Sequence, residues 1–175
     1  SQSRTLRAWF YLRLLDEFRN VPLAISSDAS KNTESNVSAE TLFSFLESEL
    51  TECVNLLPLK VGAAGNGMNQ GQWTKAAAAA LLVRLYLNAE VYVGEAKYDE
   101  CAQYARDIID GKYGSYDVEN TWDKVFDWDN ENSKEVIFGF PSSKGYVHYV
   151  YSGDTFWWTV PARQVSYYFE DTEAM

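Results

Sequence analysis

The chain has 175 residues, 46% of them apolar and 23% charged, enough for one substantial hydrophobic core and too few for two. Its formal net charge of -10, with no basic track, excludes a nucleic-acid partner gripped through its phosphates. The same charge argues against electrostatic attachment to an anionic bilayer and leaves a neutral ligand compatible.

Aromatic residues are the outlier, with twelve Tyr and six Trp. These side chains join an apolar face to a polar handle, so an excess marks a binding surface as well as a core.

Residues 2 to 19 read as a helix. Leu6, Phe10, Leu14 and Phe18 recur at every fourth position, with Trp9 and Leu15 widening the apolar face. Arg4 and Arg7 sit near its start, where the helix dipole disfavours a cation, so tertiary acidic partners are expected. Pro22 ends the helix, and the polar, serine-rich run from Ala24 to Asn36 reads as a surface loop.

A second helix is expected from Ala39 to Asn55, capped by Ser38, with Leu42, Phe45, Leu46, Leu50 and Cys53 on its core side. Leu56-Leu57-Pro58 closes it. The segment from Gly62 to Gly71 holds four glycines and no helical pattern, and reads as a loop. It lacks the spacing and the Lys-Ser/Thr ending of a phosphate loop, and no strand precedes it.

The longest apolar element runs from Gln72 to Val93, a helix that has to be buried among others because most of its circumference is apolar. Arg84, Asn88 and Glu90 interrupt it too soon for a membrane span. The short turn Gly94 to Lys97 should set it antiparallel to an amphipathic helix from Tyr98 to Asp110. Gly111 is the expected left-handed stop. Small residues on the first partner and alternating large and small ones on the second are similar to a tetratricopeptide-type hairpin. Cys53 and Cys101 read as two small core hydrophobes, with a disulfide as the alternative.

From Tyr113 the character changes. Trp122, Val125, Phe126 and Trp128 alternate with acids and Asn, Glu135 to Phe140 reads as a short strand, and Arg163 to Phe169 as a final short helix. The stretch from Gly145 to Trp158 holds six aromatics in fourteen residues. The chain starts without methionine, inside a helix, and is expected to be a portion of a longer protein with no targeting signal of its own.

Neither central helix supplies a plausible catalytic group. Asp123, Asp127, Asp129, Glu131 and Glu135 are numerous enough for a glycosidase pair, but no spacing singles out two of them. Asp127, Asp129, Asn130 and Glu131 offer hard oxygen ligands for calcium, but without the glycine and distal glutamate of a helix-loop-helix calcium site they read better as a polar turn that caps backbone. His148 has no Ser or Cys nucleophile pattern around it.

The aromatic cluster is the strongest signal. Tyr146, Tyr149, Tyr151, Trp157 and Trp158 can present flat faces to sugar rings while polar neighbours bind hydroxyls, or can simply pack a loop onto the helices. If the segment is extended, only one of Trp157 and Trp158 faces a ligand.

The chain resembles an internal portion of the SusD/RagB family. Arg4 to Leu23, RTLRAWFYLRLLDEFRNVPL, is similar to that family's early helix and its Asn-Val-Pro exit, and Glu49 to Pro58 to the next helix and its Leu-Pro ending. Trp73-Thr74-Lys75-Ala76 and the Ala/Leu run to Leu87 resemble the long central helix; Tyr98, Ala102, Ala105 and Ile109 up to Gly111-Lys112-Tyr113 resemble its partner. Asp129 to Phe138 resembles the stretch leading to a strand, and Pro161, Val165 and Phe169-Glu170 a later family segment. The order of these pieces carries the likeness.

The resemblance implies an all-α fold of tetratricopeptide-like helical hairpins, with irregular loops and a minor short strand, over residues 1–175 as one domain. It implies capture of an oligosaccharide or polysaccharide without cleavage, no cofactor and no metal. It further implies a TonB-dependent transporter as partner, and an extracellular place on the outer membrane through a lipid anchor outside this chain. Asn66 joins the aromatic cluster as a candidate hydrogen-bonding residue. The competing class is a helical protein-interaction module that binds no sugar.

Overall fold

A computed structural model describes residues 1–28, 30, 35–59, 71–126, 130 and 133–140. Among them lie five α-helices, α1 Gln2–Phe18, α2 Ala39–Leu56, α3 Lys75–Leu87, α4 Ala89–Val93 and α5 Tyr98–Ile109, and one 3-10 turn, Trp122–Val125. The all-α expectation holds. The core lies where α3 packs between α2 and α5, with α1 laid against α2.

The α1 helix buries a different face from the one its four-residue spacing predicts. Thr5, Ala8, Tyr11, Leu12 and Leu15 are buried, whereas Leu6, Phe10 and Phe18 are exposed, Phe18 by 62%. A strict four-residue repeat drifts by about 40° per step around a helix with 3.6 residues per turn. The alternating three- and four-residue steps of Thr5, Ala8, Leu12 and Leu15 hold one face. Two of these residues are small, so α1 approaches its neighbours closely.

The early arginines find their acids on α2. Arg4 grips Glu49 with two hydrogen bonds, Nη2 to Oε1 at 2.6 Å and Nε to Oε2 at 3.1 Å, and reaches Glu52 Oε2 at 2.8 Å. Arg7 Nη2 donates to Glu49 Oε2 at 2.6 Å. The expected tertiary partners therefore exist, and they fix the register of α1 on α2.

Ser38 caps α2 as expected, its side chain accepting from the Thr41 amide. Phe43 rather than Phe45 enters the core; Phe45 is half-buried, edge-on to Tyr11 at 6.0 Å between centroids. Val21 and Val37 join by a backbone hydrogen bond next to an isolated Pro22–Asn36 bridge, which closes the base of the loop between α1 and α2.

The expected single helix from Gln72 to Val93 is split. Thr74 caps α3 by accepting from the Ala77 amide, and the helix stops at Leu87. Asn88 Nδ2 donates to the Arg84 carbonyl at 2.9 Å, the local side-chain-to-backbone bond by which Asn competes with the helical ladder. The one-turn α4 then ends at Gly94, whose φ of +74° is the left-handed region that glycine favours. Ala76 to Ala79 are all buried, so neighbouring helices come near the α3 backbone.

Gln72, Trp73 and Thr74 precede α3 in non-helical form. The Gln2 side chain both donates to the Trp73 carbonyl and accepts from the Trp73 amide, each at 2.8 Å.

Gly111, with φ of +77°, stops α5 as the sequence predicts. No residue of α5 is fully buried; Cys101, Tyr104 and Ile108 pack half-covered on the core. Cys53 and Cys101 both carry free thiols, which sets the disulfide alternative aside.

Glu135 to Phe140 is not a strand. Its start is a turn held by Val136 N on Ser133 O, and Phe138 stacks flat on Trp73 at 3.9 Å instead of joining a ladder. The segment is anchored to the preceding loop through Glu119, which accepts from the Lys134 amide while its own amide donates to Glu135.

Candidate functional site

Tyr146, Tyr149, Tyr151, Trp157, Trp158 and Asn66 all lie outside the described residues, as do Asp127, Asp129, Glu131 and His148. Two other features of the described residues have the chemistry of a ligand surface.

The first is a pair of exposed aromatics on the 3-10 turn. Thr121, in extended conformation, launches the turn, and the Phe126 amide closes it on Asp123 O at 2.9 Å. Trp122 and Phe126 are left 79% and 67% exposed, their ring centroids 4.8 Å apart and their planes inclined by 39°. Leaving an indole in water forgoes roughly 2 kcal/mol of burial, so an exposed tilted pair is a surface suited to a flat apolar ligand face. Asn130 Nδ2 braces the turn by donating to the Val125 carbonyl at 3.3 Å. Sequence reading registered Trp122 and Phe126 but preferred the denser aromatic run beyond Gly145.

The second is a cleft of about 550 Å³ between the last turns of α2 and the outer face of α5. Thr51, Val54 and Asn55 form one wall, Gln103, Tyr104 and Asp107 the other, and Lys75 lies at the start of α3 between them. Gln103 and Asp107 share a face because they stand four residues apart on a helix.

Asp107 accepts from three donors, Lys112 Nζ at 2.6 Å, Gln103 Nε2 at 2.9 Å and Tyr113 Oη at 3.0 Å. The Lys112 hydrogen bond, followed by those from Gln103 and Tyr113, holds its carboxyl below the usual carboxylate range. Burial pushes the Tyr113 phenol up, and the bond to Asp107 adds to it. Lys75 Nζ donates to the Asn55 carbonyl at 3.0 Å, tying off the end of α2.

A file of five rings also crosses the molecule. Trp73 stacks on Phe138, Phe138 meets Phe140 at 5.1 Å, Phe140 meets Trp9 at 5.3 Å, and Trp9 meets Phe10 at 4.8 Å. It starts at the buried Trp73 and emerges at the exposed Phe10 and Phe140. Most of this file is structural, pinning the last described residues to α1 and to the start of α3.

Proton chemistry finds little support here. Every described carboxyl with a displaced pKa is held down: Glu40 by Ser38, Glu49 by Arg4, Asp107 by Lys112, Asp117 by Lys134 and Asp123 by Thr121. A glycosidase acid needs the opposite displacement. Among the described residues, no three His, Cys, Asp or Glu side chains converge in a cluster fit to hold a metal ion.

No protein-family model matches the chain. It is 27% identical over 143 residues to starch-binding protein SusD of Bacteroides thetaiotaomicron, a match covering 78% of this chain and 23% of that protein. Surface glycan-binding protein A from Bacteroides uniformis has the same fold, with a TM-score of 0.64 at 23% identity, over 78% of this chain and 29% of that one. A SusD superfamily protein from Bacteroides fragilis reaches a TM-score of 0.68 at 17% identity, over 83% and 30% of the two chains. A SusD homolog from Bacteroides thetaiotaomicron gives 0.61 at 23% identity, over 71% and 24%. The chain thus spans about a quarter of the length of the curated relative it matches.

Proposed function

We propose that this chain is of the SusD/RagB type, the helical part of a cell-surface protein that binds glycan without cleaving it. The observation that carries the reading is the joint likeness, in sequence to a starch-binding protein and in fold to a surface glycan-binding protein. The exposed Trp122–Phe126 pair supports it locally, because tilted aromatic faces beside polar side chains suit the apolar faces of sugar rings.

In this reading Tyr146, Tyr149, Tyr151, Trp157 and Trp158, with Asn66, extend the aromatic surface. The longer protein sits on the extracellular face of an outer membrane by a lipid anchor outside this chain and hands its ligand to a TonB-dependent transporter. No helix among the described residues is long and apolar enough to cross a membrane.

The test is calorimetric titration of the chain with a panel of soluble neutral glycans, repeated with Trp122→Ala, Trp157→Ala and Trp158→Ala. Saturable heat that disappears in one of the variants, with helical content unchanged, supports capture and locates the platform. Absence of heat with every glycan turns the reading toward the competing one. The exposed Leu6, Phe10 and Phe18 on α1 favour that second reading, a helical face that meets protein.

A further inference from the structure

The cleft between α2 and α5 carries a charge pattern that the neutral-glycan reading does not use. Its Asp107 is engaged by three donors, one of them Lys112, which neutralises its charge. Lys75 has a different situation: its ammonium carries three N–H groups and spends one, on the Asn55 carbonyl. Two lysines against one aspartate leave the cleft with a surplus of one positive charge, in a chain whose net charge is -10.

The two amides add hydrogen-bonding groups. Asn55 Nδ2 is tied to the Thr51 carbonyl at 3.2 Å and Gln103 Nε2 to Asp107 at 2.9 Å, so each amide keeps its oxygen and one N–H for a ligand. Two amides and an ammonium in one cleft, with Tyr104 on its wall, suit the hydroxyls and the carboxylate of one ligand. A volume of about 550 Å³ holds one or two sugar rings.

We propose that this cleft is a second glycan subsite, which takes the carboxylate of an acidic sugar residue, a uronic acid, on Lys75 and its hydroxyls on Asn55 and Gln103. The inference rests on the reading that the chain binds glycan, and it adds the ligand's charge. A neutral sugar covering Lys75 would strip water from an ammonium without giving it an anion, which is unfavourable. A dianionic phosphate would set its second charge against Asp107. One carboxylate matches the single surplus charge.

The test is an amide-resolved NMR titration of the full chain with trigalacturonate, with maltoheptaose and with a tetraglutamate peptide, at low and high salt. Lys75→Gln retains a donor for the Asn55 carbonyl and removes the charge; Lys75→Arg restores it; Gln103→Ala removes a hydroxyl acceptor from the other wall. Trigalacturonate is expected to shift the amides around Lys75, Gln103 and Tyr104. Its affinity should fall about tenfold or more in Lys75→Gln, recover in Lys75→Arg, and weaken as salt is raised.

Trigalacturonate binding that ignores Lys75→Gln but is lost in Trp122→Ala overturns the subsite and leaves the glycan reading in place. Maltoheptaose binding with none by trigalacturonate does the same. Equal shifts with tetraglutamate overturn it too, since charge alone is then recognised. No response to either saccharide, at the cleft or elsewhere, overturns both readings together.

Discussion

The helical body and the segment from Tyr113 to Phe140 use their aromatic and charged residues in opposite ways. In α1, α2 and α3 arginines and acids are spent on one another, and Tyr86 of α3 and Tyr92 of α4 are drawn into the interior. Burial drives both phenols well above their ordinary value, and Tyr92 still finds Asp16 at 2.8 Å. In the later segment Val118, Trp122, Phe126 and Phe140 stay largely in water, and the backbone is held by carboxylates and turns rather than by a ladder. Where the scaffold satisfies itself it leaves little for a ligand; recognition is to be sought where groups stay unsatisfied, at the exposed Trp122–Phe126 pair and in the cleft at Lys75.

Substitutions can break this contrast. The largest effect is expected within α1: Leu12→Ala should cost about 2–5 kcal/mol, because the side chain is 2% exposed, whereas Phe10→Ala on the same helix should stay within about 0.5 kcal/mol. Chemical denaturation of the two variants measures both. Comparable losses would mean that the apolar stripe at Leu6, Phe10 and Phe18 is covered in solution.

Next comes Glu49→Gln, which removes the charge that two arginines share at a half-buried interface, leaving Arg4 with Glu52 and Arg7 with the Ile25 carbonyl, and should cost roughly 1–3 kcal/mol. The Arg4 hydrogen bond holds the Glu49 carboxyl below its ordinary 4.5, so its contribution is present above that pH. It is lost as the pH falls through the lower folded value. Wild-type stability should therefore drop faster than that of Glu49→Gln below pH 4.5.

Thr74→Ala removes a buried cap from α3 and should cost about 1 kcal/mol, read as a lowered thermal midpoint. Trp122→Ala should be the smallest in stability, within about 0.5 kcal/mol, yet lower glycan affinity about tenfold or more if the exposed pair is the platform. A large loss of stability there would place Trp122 with the scaffold and erase the contrast.

Much of the scaffold was legible because its signals are local. The Ser38 cap, the Gly111 stop and the α2 core at Leu42, Leu46, Leu50 and Cys53 each follow from a few neighbouring residues. The acids facing Arg4 and Arg7 were legible as a need, since cations at a helix start ask for partners, although Glu49 itself could not be named. What failed depends on competition. The regular stripe of α1 lost to a face with smaller residues, the Asn88 break lay hidden in an otherwise continuous apolar run, and Phe138 preferred the indole of Trp73 to a strand neighbour.

The site was less legible than the fold. The cleft draws Thr51, Lys75 and Gln103 from three separated segments, and no spacing rule joins them. Aromatic density pointed toward Tyr146 to Trp158, outside the described residues, whereas Trp122 and Phe126 stand out only through their exposure.

The paired hydrogen bonds between the Gln2 side chain and the Trp73 backbone have a use in their own right. They join groups 71 positions apart, and Gln2 occupies the first turn of α1, the part of a helix that frays first. The Trp73 amide proton is therefore shielded from solvent exchange by a side chain on another element, and it is freed whenever the beginning of α1 lifts away. Its exchange rate, compared with that of amides inside α3, is a built-in clock for how often the amino-terminal helix lets go while the rest of the bundle stays closed.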